Sequence, residues 1–383
     1  MIGQPPSSAK PVRVLVVDDS SFMRGALVRM ISKNPRFTVI DTAADGKEGV
    51  EKAKALKPDV MTMDVEMPVM NGLEALAEIM KTVKTPVIMV STLTEAGAQT
   101  TIKALELGAV DFVPKAFGDK ERNIFRGADE LYEKLFAAAG VDAGGAAPSM
   151  PSPHFSTPAA PSLSPSVLAV GMPPRPASPA AVPAPLPSTL RIPHARLVMV
   201  GSSTGGPKAL QVLLEKLPAN FPLPVVVAQH MPPQFTLALA NRLNETCPIK
   251  VVEMKNHDVL QAGTVYISPG GLHARVNASS CRVDEDKGES LYKPSVDVLA
   301  ESVAQAYGRN VIGVMLTGMG SDGMREYVKL KELGAHIIAQ NQESCVVYGM
   351  PKAVVEGGGA SEVLPLEQIG ERLCILLGIK SAG

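Results

Sequence analysis

The sequence predicts an α/β protein with two doubly wound parallel sheets joined by a linker. Short apolar runs alternate with helical patterns twice along the chain, and a segment rich in Pro, Ala and Ser separates the two series. The length of 383 residues is enough for two or three domains. We expect globular domains over 11–128 and 191–383, with the last helix of the first domain and a disordered linker over 129–190.

The composition excludes several classes of function. The formal net charge is −1 and aromatic residues make up 4%, so neither nucleic-acid binding nor attraction to an anionic membrane is favoured. Apolar runs such as Val311–Leu316 are too short to span a bilayer, and the N-terminus lacks the apolar core of a signal peptide. The four cysteines show no C-x-x-C spacing, which predicts reduced, structural thiols in a cytoplasmic protein. Because the apolar runs are short, we expect no direct membrane insertion.

The first domain alternates five apolar strands with five helical patterns. Apolar residues between Met23 and Ile31 recur at helical spacing, and Ser20 could cap that helix. The predicted strands are 12–17, 37–40, 60–63, 86–90 and 110–113. The helices that follow them are 23–31, 46–56, 73–83, 94–107 and a last one carrying apolar residues from Ile124 to Phe136.

Polar side chains follow four of these strands. Because the carboxyl ends of parallel strands share one edge, we expect them to meet there. Three carboxylates brought together repel one another, and oxygen ligation of Mg²⁺ would relieve the repulsion. A carboxylate there could accept a phosphoryl group, with a hydroxyl and a lysine holding its oxygens. Taken singly, an acidic or hydroxyl residue that follows a strand is more often a helix cap. The polar residues that follow the four strands are Asp18, Asp19, Asp64, Ser91 and Lys115.

The set, in this order and spacing, resembles the receiver domain of bacterial two-component response regulators over about Val12–Ala128. The resemblance implies a flavodoxin-like fold with Asp64 as phosphoacceptor and Phe112 at the aromatic switch position. It implies that Ser91 and Lys115 contact the phosphoryl group. It also implies Mg²⁺ binding by Asp18 (through water), Asp19, Asp64 and the Glu66 backbone carbonyl.

One residue departs from the receiver pattern. Receivers usually follow the lysine with a proline in a cis bond, but here Ala116 follows Lys115. A cis bond before a non-proline residue costs about 2.5–4 kcal/mol, so either the loop is trans or that strain is retained.

The segment 148–190 consists mainly of Pro, Ala and Ser and has one charged residue, Arg175. Between Pro148 and Pro187 lie 13 of the chain's 33 prolines. This composition is typical of a disordered, partly polyproline spacer, although its PxxP triplets could also be ligands for a partner.

The second domain begins where the apolar run Leu197–Val200 breaks into Gly201–Pro207. The pattern G-x-S-x-G places Ser203 at the middle of a tight strand-to-helix turn, as in a nucleophile elbow. The alternatives are an ordinary Gly/Ser loop or a phosphate cradle.

The rest of the second domain also alternates strands with helices. Further predicted strands are 224–228, 251–252, 264–267, 311–316 and 335–339, with a hairpin over 273–276 and 281–283 and helices at 238–243, 296–306 and 352–355.

Three of these strands are followed by Ser203, His230 and Asp322. If all three strands are parallel, the side chains converge at one edge, and a hydroxyl nucleophile needs both a base and an orienting carboxylate. A lone histidine at such a position would more often be structural. The order Ser…His…Asp differs from that of the α/β hydrolases, so the domain is not simply that fold.

The motifs GSSTGGP, QHMPPQFT, SPGG, TGMGSDG and CVVYGMPKAV resemble the catalytic domain of the CheB family of chemotaxis protein-glutamate methylesterases. The resemblance implies a Rossmann-like domain with Ser203 as nucleophile, His230 as base and acid, and Asp322 as its orienter. It implies that the Met319 backbone N–H is an oxyanion donor. Ser202 stands where the family more often has Ala.

The double resemblance implies a phosphorylation-activated methylesterase that hydrolyses glutamate methyl esters, and deamidates glutamine, on the cytoplasmic helices of methyl-accepting chemoreceptors. Its expected phosphodonor is a chemotaxis histidine kinase. Its expected cofactor is Mg²⁺ in the receiver, with none in the esterase domain. A DNA-binding regulator is the first alternative, but no helix-turn-helix or basic stripe supports it. A non-catalytic, phosphorylation-dependent adaptor is the second alternative.

Overall fold

The computed structural model describes residues 10–115, 121–140, 190–285, 290 and 292–382. Most of the predicted linker, 141–189, and the loop residue Ala116 lie outside the described residues. The predicted fold class is confirmed, because each domain is built on its own parallel sheet.

The first sheet has five parallel strands in the order β2-β1-β3-β4-β5. That order reverses between β1 and β3, which opens a crevice at the carboxyl ends of those strands. The elements are β1 (Val12–Val17), α1 (Ser21–Ser32), β2 (Phe37–Ala43), α2 (Gly46–Leu56), β3 (Val60–Asp64), α3 (Gly72–Thr82), β4 (Val87–Ser91), α4 (Glu95–Glu106), β5 (Asp111–Pro114) and α5 (Glu121–Ala138).

Polar side chains cap the N-termini of helices in this domain. The Ser20 hydroxyl accepts from the Met23 N–H, which confirms the predicted cap of α1. At α3, Asn71 and Glu74 form a reciprocal capping box. Asp64, by contrast, is the last residue of β3 rather than a cap, so its carboxylate stays at the sheet edge.

The second sheet has seven parallel strands in the order β14-β13-β12-β6-β7-β9-β8, and β10 and β11 form the predicted antiparallel hairpin. The elements are β6 (Leu197–Ser202), α6 (Gly206–Leu214), β7 (Val225–Gln229), α7 (Phe235–Thr246), β8 (Lys250–Glu253), β9 (Thr264–Ile267), β10 (His273–Val276), β11 (Cys281–Asp284), α8 (Val296–Tyr307), β12 (Val311–Met315), α9 (Met324–Glu332), β13 (His336–Gln340), a single 3₁₀ turn (Gln342–Ser344), α10 (Met350–Glu356), β14 (Glu362–Leu364) and α11 (Leu366–Leu377).

Strand β6 lies at the centre of this sheet, with β7 on one side and β12 on the other. The strand order reverses at β6, so the carboxyl ends of these three strands border the crevice where doubly wound sheets bind ligands. Helices α9 and α11 and strand β14 were not predicted from the sequence. In α9 only three of the nine residues are buried, so its apolar pattern is too sparse to indicate a helix.

The two domains share apolar contacts. Ile102 and Leu105 of α4 belong to the same buried hydrophobic cluster as Leu239 and Leu243 of α7. The receiver-like domain therefore packs directly on the second domain, beside the helix that follows β7. In the part of the chain that the structure describes, no helix is both long and apolar enough to cross a bilayer.

Candidate active site and phosphoacceptor site

Ser203 lies in the tight turn between β6 and α6. Gly205 has a φ of +77°, a left-handed conformation that disfavours residues with a Cβ. A Cβ on Gly206 would lie 1.9 Å from the Gln229 Oε1. Gly205, the second glycine of the predicted elbow, is therefore required by the backbone turn, and the neighbouring Gly206 is required by the close packing of Gln229, the last residue of β7.

His230 follows β7, and its ring contacts Asp322 from the loop after β12. The His230 Nε2 and the Asp322 Oδ2 are 2.7 Å apart. The same carboxylate accepts hydrogen bonds from the Ser295 hydroxyl at 3.0 Å and from the backbone N–H groups of Val296 and Asp297 at 2.7 and 3.1 Å. These donors form the first turn of α8, where a helix favours negative charge.

Burial alone would raise the pKa of Asp322. The hydrogen bond and charge of His230, together with the N–H groups of α8, outweigh burial and hold that pKa below its usual range. Asp322 is thus an anion fixed against the ring of His230, as an orienting carboxylate must be.

The ring of His230 is held on one edge and on one face. Tyr292 stacks on it with ring centroids 4.2 Å apart and planes 6° apart. Because Nε2 is bound to Asp322, Nδ1 is the remaining nitrogen, and it is buried with no hydrogen-bond partner among the described residues. The arrangement leaves Nδ1 available for a proton.

Backbone hydrogen bonds bring Ser203 into this group. The Ser203 N–H donates to the Thr317 carbonyl and the His230 N–H to the Ser202 carbonyl, both at 3.1 Å. A Cβ on Gly318 would lie 2.9 Å from the Ser203 Cβ, so the loop after β12 passes directly against the serine. Within the described ranges, the backbone N–H groups of Thr204 and Met319 donate to no protein group.

The predicted phosphoacceptor site lies at the edge of the first sheet. Oxygens of Asp18, Asp19 and Asp64 all lie within 4.8 Å of one another. The Lys115 Nζ is 2.5 Å from the Asp64 Oδ2 and 3.5 Å from the Asp18 Oδ2. Burial first, and then the charge of Asp18, raises the pKa of Asp64 to about 6 although Lys115 lowers it. An all-carboxylate oxygen set under this repulsion fits a hard divalent cation.

Ser91, predicted to contact the phosphoryl group, makes hydrogen bonds to α4, whereas Glu66, predicted to bind Mg²⁺ through its backbone carbonyl, bonds to Asp64 through its N–H. Ser91 is buried at the end of β4, and its hydroxyl bonds with the Thr101 hydroxyl at 2.7 Å and the Gly97 carbonyl at 3.3 Å. The Glu66 N–H donates to the Asp64 Oδ1 at 3.4 Å. In this structure Ser91 therefore faces α4 rather than the acidic cluster.

Strand β5 joins the predicted phosphoacceptor site to the second domain. Phe112, the predicted switch position, is 2% exposed and stacks on Phe235, with ring centroids 4.3 Å apart. The Thr204 hydroxyl donates to the Asp111 Oδ2 at 2.6 Å. The receiver-like domain therefore touches the residue next to Ser203.

Asp111 and Tyr292 were not among the site residues predicted from the sequence. Asp111 did carry a signal, because it is a charged residue inside the otherwise apolar run Ala109–Val113. Tyr292 carried none, because it precedes α8 in an irregular loop far along the chain from His230.

The fold and the site together define a class of protein. In this class a receiver domain is joined to a second α/β domain, which holds a serine, a histidine and an aspartate at its topological switch point. A family model described as response regulator receiver domain matches residues 14–124, and one described as CheB methylesterase matches residues 198–373. The chain belongs to the CheB methylesterase family, as the resemblance predicted.

Full-length relatives agree with the two family models. The chain is 45% identical over 380 residues to a protein-glutamate methylesterase/protein-glutamine glutaminase 1 of Vibrio vulnificus (strain CMCP6), covering 96% of this chain and 99% of the relative. It is 44% identical over 379 residues to a protein-glutamate methylesterase/protein-glutamine glutaminase of Desulfitobacterium hafniense (strain Y51), covering 95% and 97%. The solved CheB methylesterase catalytic domain of Thermotoga maritima is 42% identical, covering 47% of this chain and 97% of that chain with a TM-score of 0.46.

Proposed function

We propose that this chain is a phosphorylation-activated protein-glutamate methylesterase that also deamidates glutamine. The observation that carries the proposal is the grouping of Ser203, His230 and Asp322 at the switch point, with the carboxylate bound to the imidazole. The two activities are those for which the full-length relatives are named.

In the first half-reaction, the Ser203 Oγ attacks the γ-carbonyl carbon of a methylated glutamate. The His230 Nδ1 takes the serine proton, while Asp322 holds Nε2–H and stabilises the imidazolium. As the tetrahedral intermediate collapses, the C–O bond to the methoxy group breaks, and Nδ1–H returns the proton to the departing methanol. The product is a glutamyl ester on Ser203.

The negative charge of the tetrahedral intermediate needs donors that are already in place. The backbone N–H of Met319, next to Gly318 and Ser203, supplies one, and the N–H of Thr204 supplies another at the position that follows a nucleophile in G-x-S-x-G turns. One such donor is worth about 2.7–4 kcal/mol in the transition state.

Water completes the reaction. His230 takes a proton from the water as the water oxygen attacks the carbonyl carbon of the glutamyl ester. His230 then gives the proton to the Ser203 Oγ as the ester bond breaks. The same steps on a glutamine side chain release ammonia instead of methanol, so one site can serve both activities. None of these steps needs a cofactor in the esterase domain.

The receiver would carry the phosphoryl group on Asp64. Asp18, Asp19, Asp64 and the Glu66 carbonyl would hold Mg²⁺, which would neutralise charge on the carboxylates and the phosphoryl oxygens. Lys115 already lies beside Asp64 and would contact the phosphoryl group. Ser91 would need to turn from its bonds to α4 to do the same.

Phosphorylation would act on the esterase through β5. Phe112 and Lys115 are three residues apart, about 10 Å along a strand, so a change at Lys115 can reach the contact of Phe112 with Phe235. In the structure described above, the receiver covers Thr204, which is 2% exposed. Loosening this contact would open the nucleophile turn to a substrate helix.

The proposed partners follow from the chemistry of the two domains. The esterase substrate would be a chemoreceptor's methylated glutamates, and the phosphodonor a histidine kinase of the same pathway, acting on Asp64. No nucleic-acid partner is proposed, since the chain has a formal net charge of −1.

The test is methanol release from methylated receptor membranes by the full-length protein, with and without Mg²⁺ and a small-molecule phosphodonor. Ser203→Ala should abolish release, and His230→Gln and Asp322→Asn should lower kcat by orders of magnitude. Asp64→Asn should leave basal release intact and remove the response to phosphodonor. Normal turnover by Ser203→Ala would overturn the nucleophile assignment, and unchanged release with phosphodonor would overturn the gate.

A further inference from the structure

Gln229, the last residue of β7, is 1% exposed and makes three hydrogen bonds at the proposed active site. Its Nε2 donates to the Ser203 carbonyl at 2.9 Å and to the His230 carbonyl at 3.1 Å. Its Oε1 accepts from the Ser202 hydroxyl at 2.6 Å. One buried amide therefore ties together the two segments that carry the proposed nucleophile and base.

The orientation of this amide follows from its partners. Two carbonyl oxygens can only accept, so they must face the two hydrogens of the NH₂ group. In the opposite orientation the Gln229 oxygen would face both carbonyls with no hydrogen between them. The Ser202 hydroxyl, which can donate or accept, completes the orientation set by the carbonyls by donating to Oε1.

The packing around Gln229 leaves its side chain little freedom. A Cβ on Gly206 would lie 1.9 Å from Oε1 and 2.9 Å from Cδ, so the first turn of α6 packs directly against the amide. The amide is thus enclosed between the end of β6 and the start of α6, which are the segments on either side of Ser203.

We propose that Gln229 is a positioning residue that aligns Ser203 with His230, and that Ser202 acts through it. The proposal rests on the roles proposed above for Ser203 and His230. By holding both carbonyls on one NH₂ group, Gln229 fixes the separation of the two peptides, and a small misplacement of reacting groups can slow a reaction strongly. Ser202, where the family more often has Ala, thereby supports catalysis without touching substrate.

The test compares Gln229→Met, which keeps the length and replaces the amide with a thioether that cannot donate a hydrogen bond, with Ser202→Ala, which removes only the hydroxyl. Full-length proteins are treated with phosphodonor, and kcat and KM for methanol release are measured. The number of reactive Ser203 sites is titrated with a serine-directed phosphonate, and its labelling rate is recorded. Rates per titrated site do not depend on how much of a variant is folded.

For Gln229→Met we expect kcat per titrated site and the phosphonate labelling rate to fall about tenfold or more, with KM changed less than about twofold. Ser202→Ala should give a smaller loss of about two- to fivefold. The matched control is Ser302→Ala, which removes another buried hydroxyl that bonds to Val276 and Leu299 away from the site, and it should leave both rates unchanged.

Wild-type rates per titrated site in Gln229→Met would overturn the positioning role. A loss of activity accounted for entirely by fewer titrated sites would overturn it too, because it would show a purely structural effect. If Gln229→Met does not fold, Ser202→Ala decides alone, and a rate equal to that of Ser302→Ala contradicts the proposal. Methanol release by Ser203→Ala would instead contradict the proposed function itself.

Discussion

The Thr204 hydroxyl donates a 2.6 Å hydrogen bond to the Asp111 Oδ2, and this bond joins the residue beside Ser203 to strand β5 of the receiver. The other Asp111 oxygen lies 3.4 Å from the Lys134 Nζ of α5. Phe112, the next residue of β5, stacks on Phe235. Polar and apolar contacts of one strand therefore hold the receiver against the turn that carries Ser203.

The first prediction concerns the bond between Asp111 and Thr204. Asp111→Ala removes the acceptor without touching the phosphoacceptor site or Ser203, so methanol release without phosphodonor should rise. Hydrogen bonds to charged groups contribute about 1.5–3 kcal/mol, so we expect a rise of about tenfold or more, limited by the fully activated rate. The control is Asp59→Ala, which removes a receiver carboxylate bonded to the Arg13 N–H. Equal basal rates in both variants would mean that this bond does not restrain the esterase.

The second prediction concerns the ion pair at the edge of the same interface. Arg242 binds Glu106 through two nitrogens, at 2.6 and 3.0 Å, and both side chains are partly exposed. Either Glu106→Arg or Arg242→Glu should raise basal methanol release about two- to fivefold by repulsion, and the double exchange should restore the wild-type rate. Raising the salt concentration should shrink these differences. A double exchange as active as either single variant would contradict the pairing.

The third prediction concerns a buried charge cluster remote from both sites. Glu362 is 2% exposed, and its carboxylate lies 2.6 Å from the His336 Nε2 and 2.8 Å from the Arg372 Nε. Burial alone would raise the pKa of Glu362, but His336 and Arg372 outweigh it and lower that pKa. A carboxyl with a depressed folded-state pKa stabilises the fold above its unfolded pKa, and this stability is lost as the pH falls through the folded value.

Glu362→Gln should therefore lower the free energy of unfolding by about 3–5 kcal/mol at neutral pH. The difference from wild type should shrink as the pH falls below about 4.5. Urea unfolding followed by circular dichroism, repeated across this range, measures it. The control Glu356→Gln alters an exposed carboxylate 4.0 Å from Lys352 and should change stability by less than about 0.5 kcal/mol. A constant difference at every pH would show that the Glu362 charge is not the cause.

Local patterns in the sequence predicted that Ser203, His230 and Asp322 lie at the ends of strands, but they did not predict the contacts between the two domains. Ser203, His230 and Asp322 each follow a strand, so their approach could be inferred once the strands were taken as parallel. The contact of Asp111 with Thr204 joins residues 93 positions apart in different domains. The hydrophobic periodicity of the sequence cannot predict such a contact, because the contact depends on how the surfaces of two folded domains pack together.

The same limit applies within the second domain. Gln229 could be placed at the end of a buried strand, where a polar residue is unusual, but its three partners are set by the approach of β6 and α6. The helices α9 and α11 were missed for a different reason. Helix α11 comes after the last motif, and α9, which lies between two motifs, buries too few apolar residues to produce a clear helical pattern.

The last prediction concerns Tyr292, whose ring stacks on His230 with centroids 4.2 Å apart. The stacked ring covers one face of the imidazole and keeps its plane fixed while the proton moves, and aromatic pairs contribute about 0.5–1.5 kcal/mol beyond burial. Tyr292→Leu should lower kcat/KM for methanol release about two- to tenfold. Tyr292→Phe keeps the ring and removes only the hydroxyl, so it should stay close to wild type. If the Phe variant loses as much activity as the Leu variant, the hydroxyl rather than the stacked ring is the group that matters.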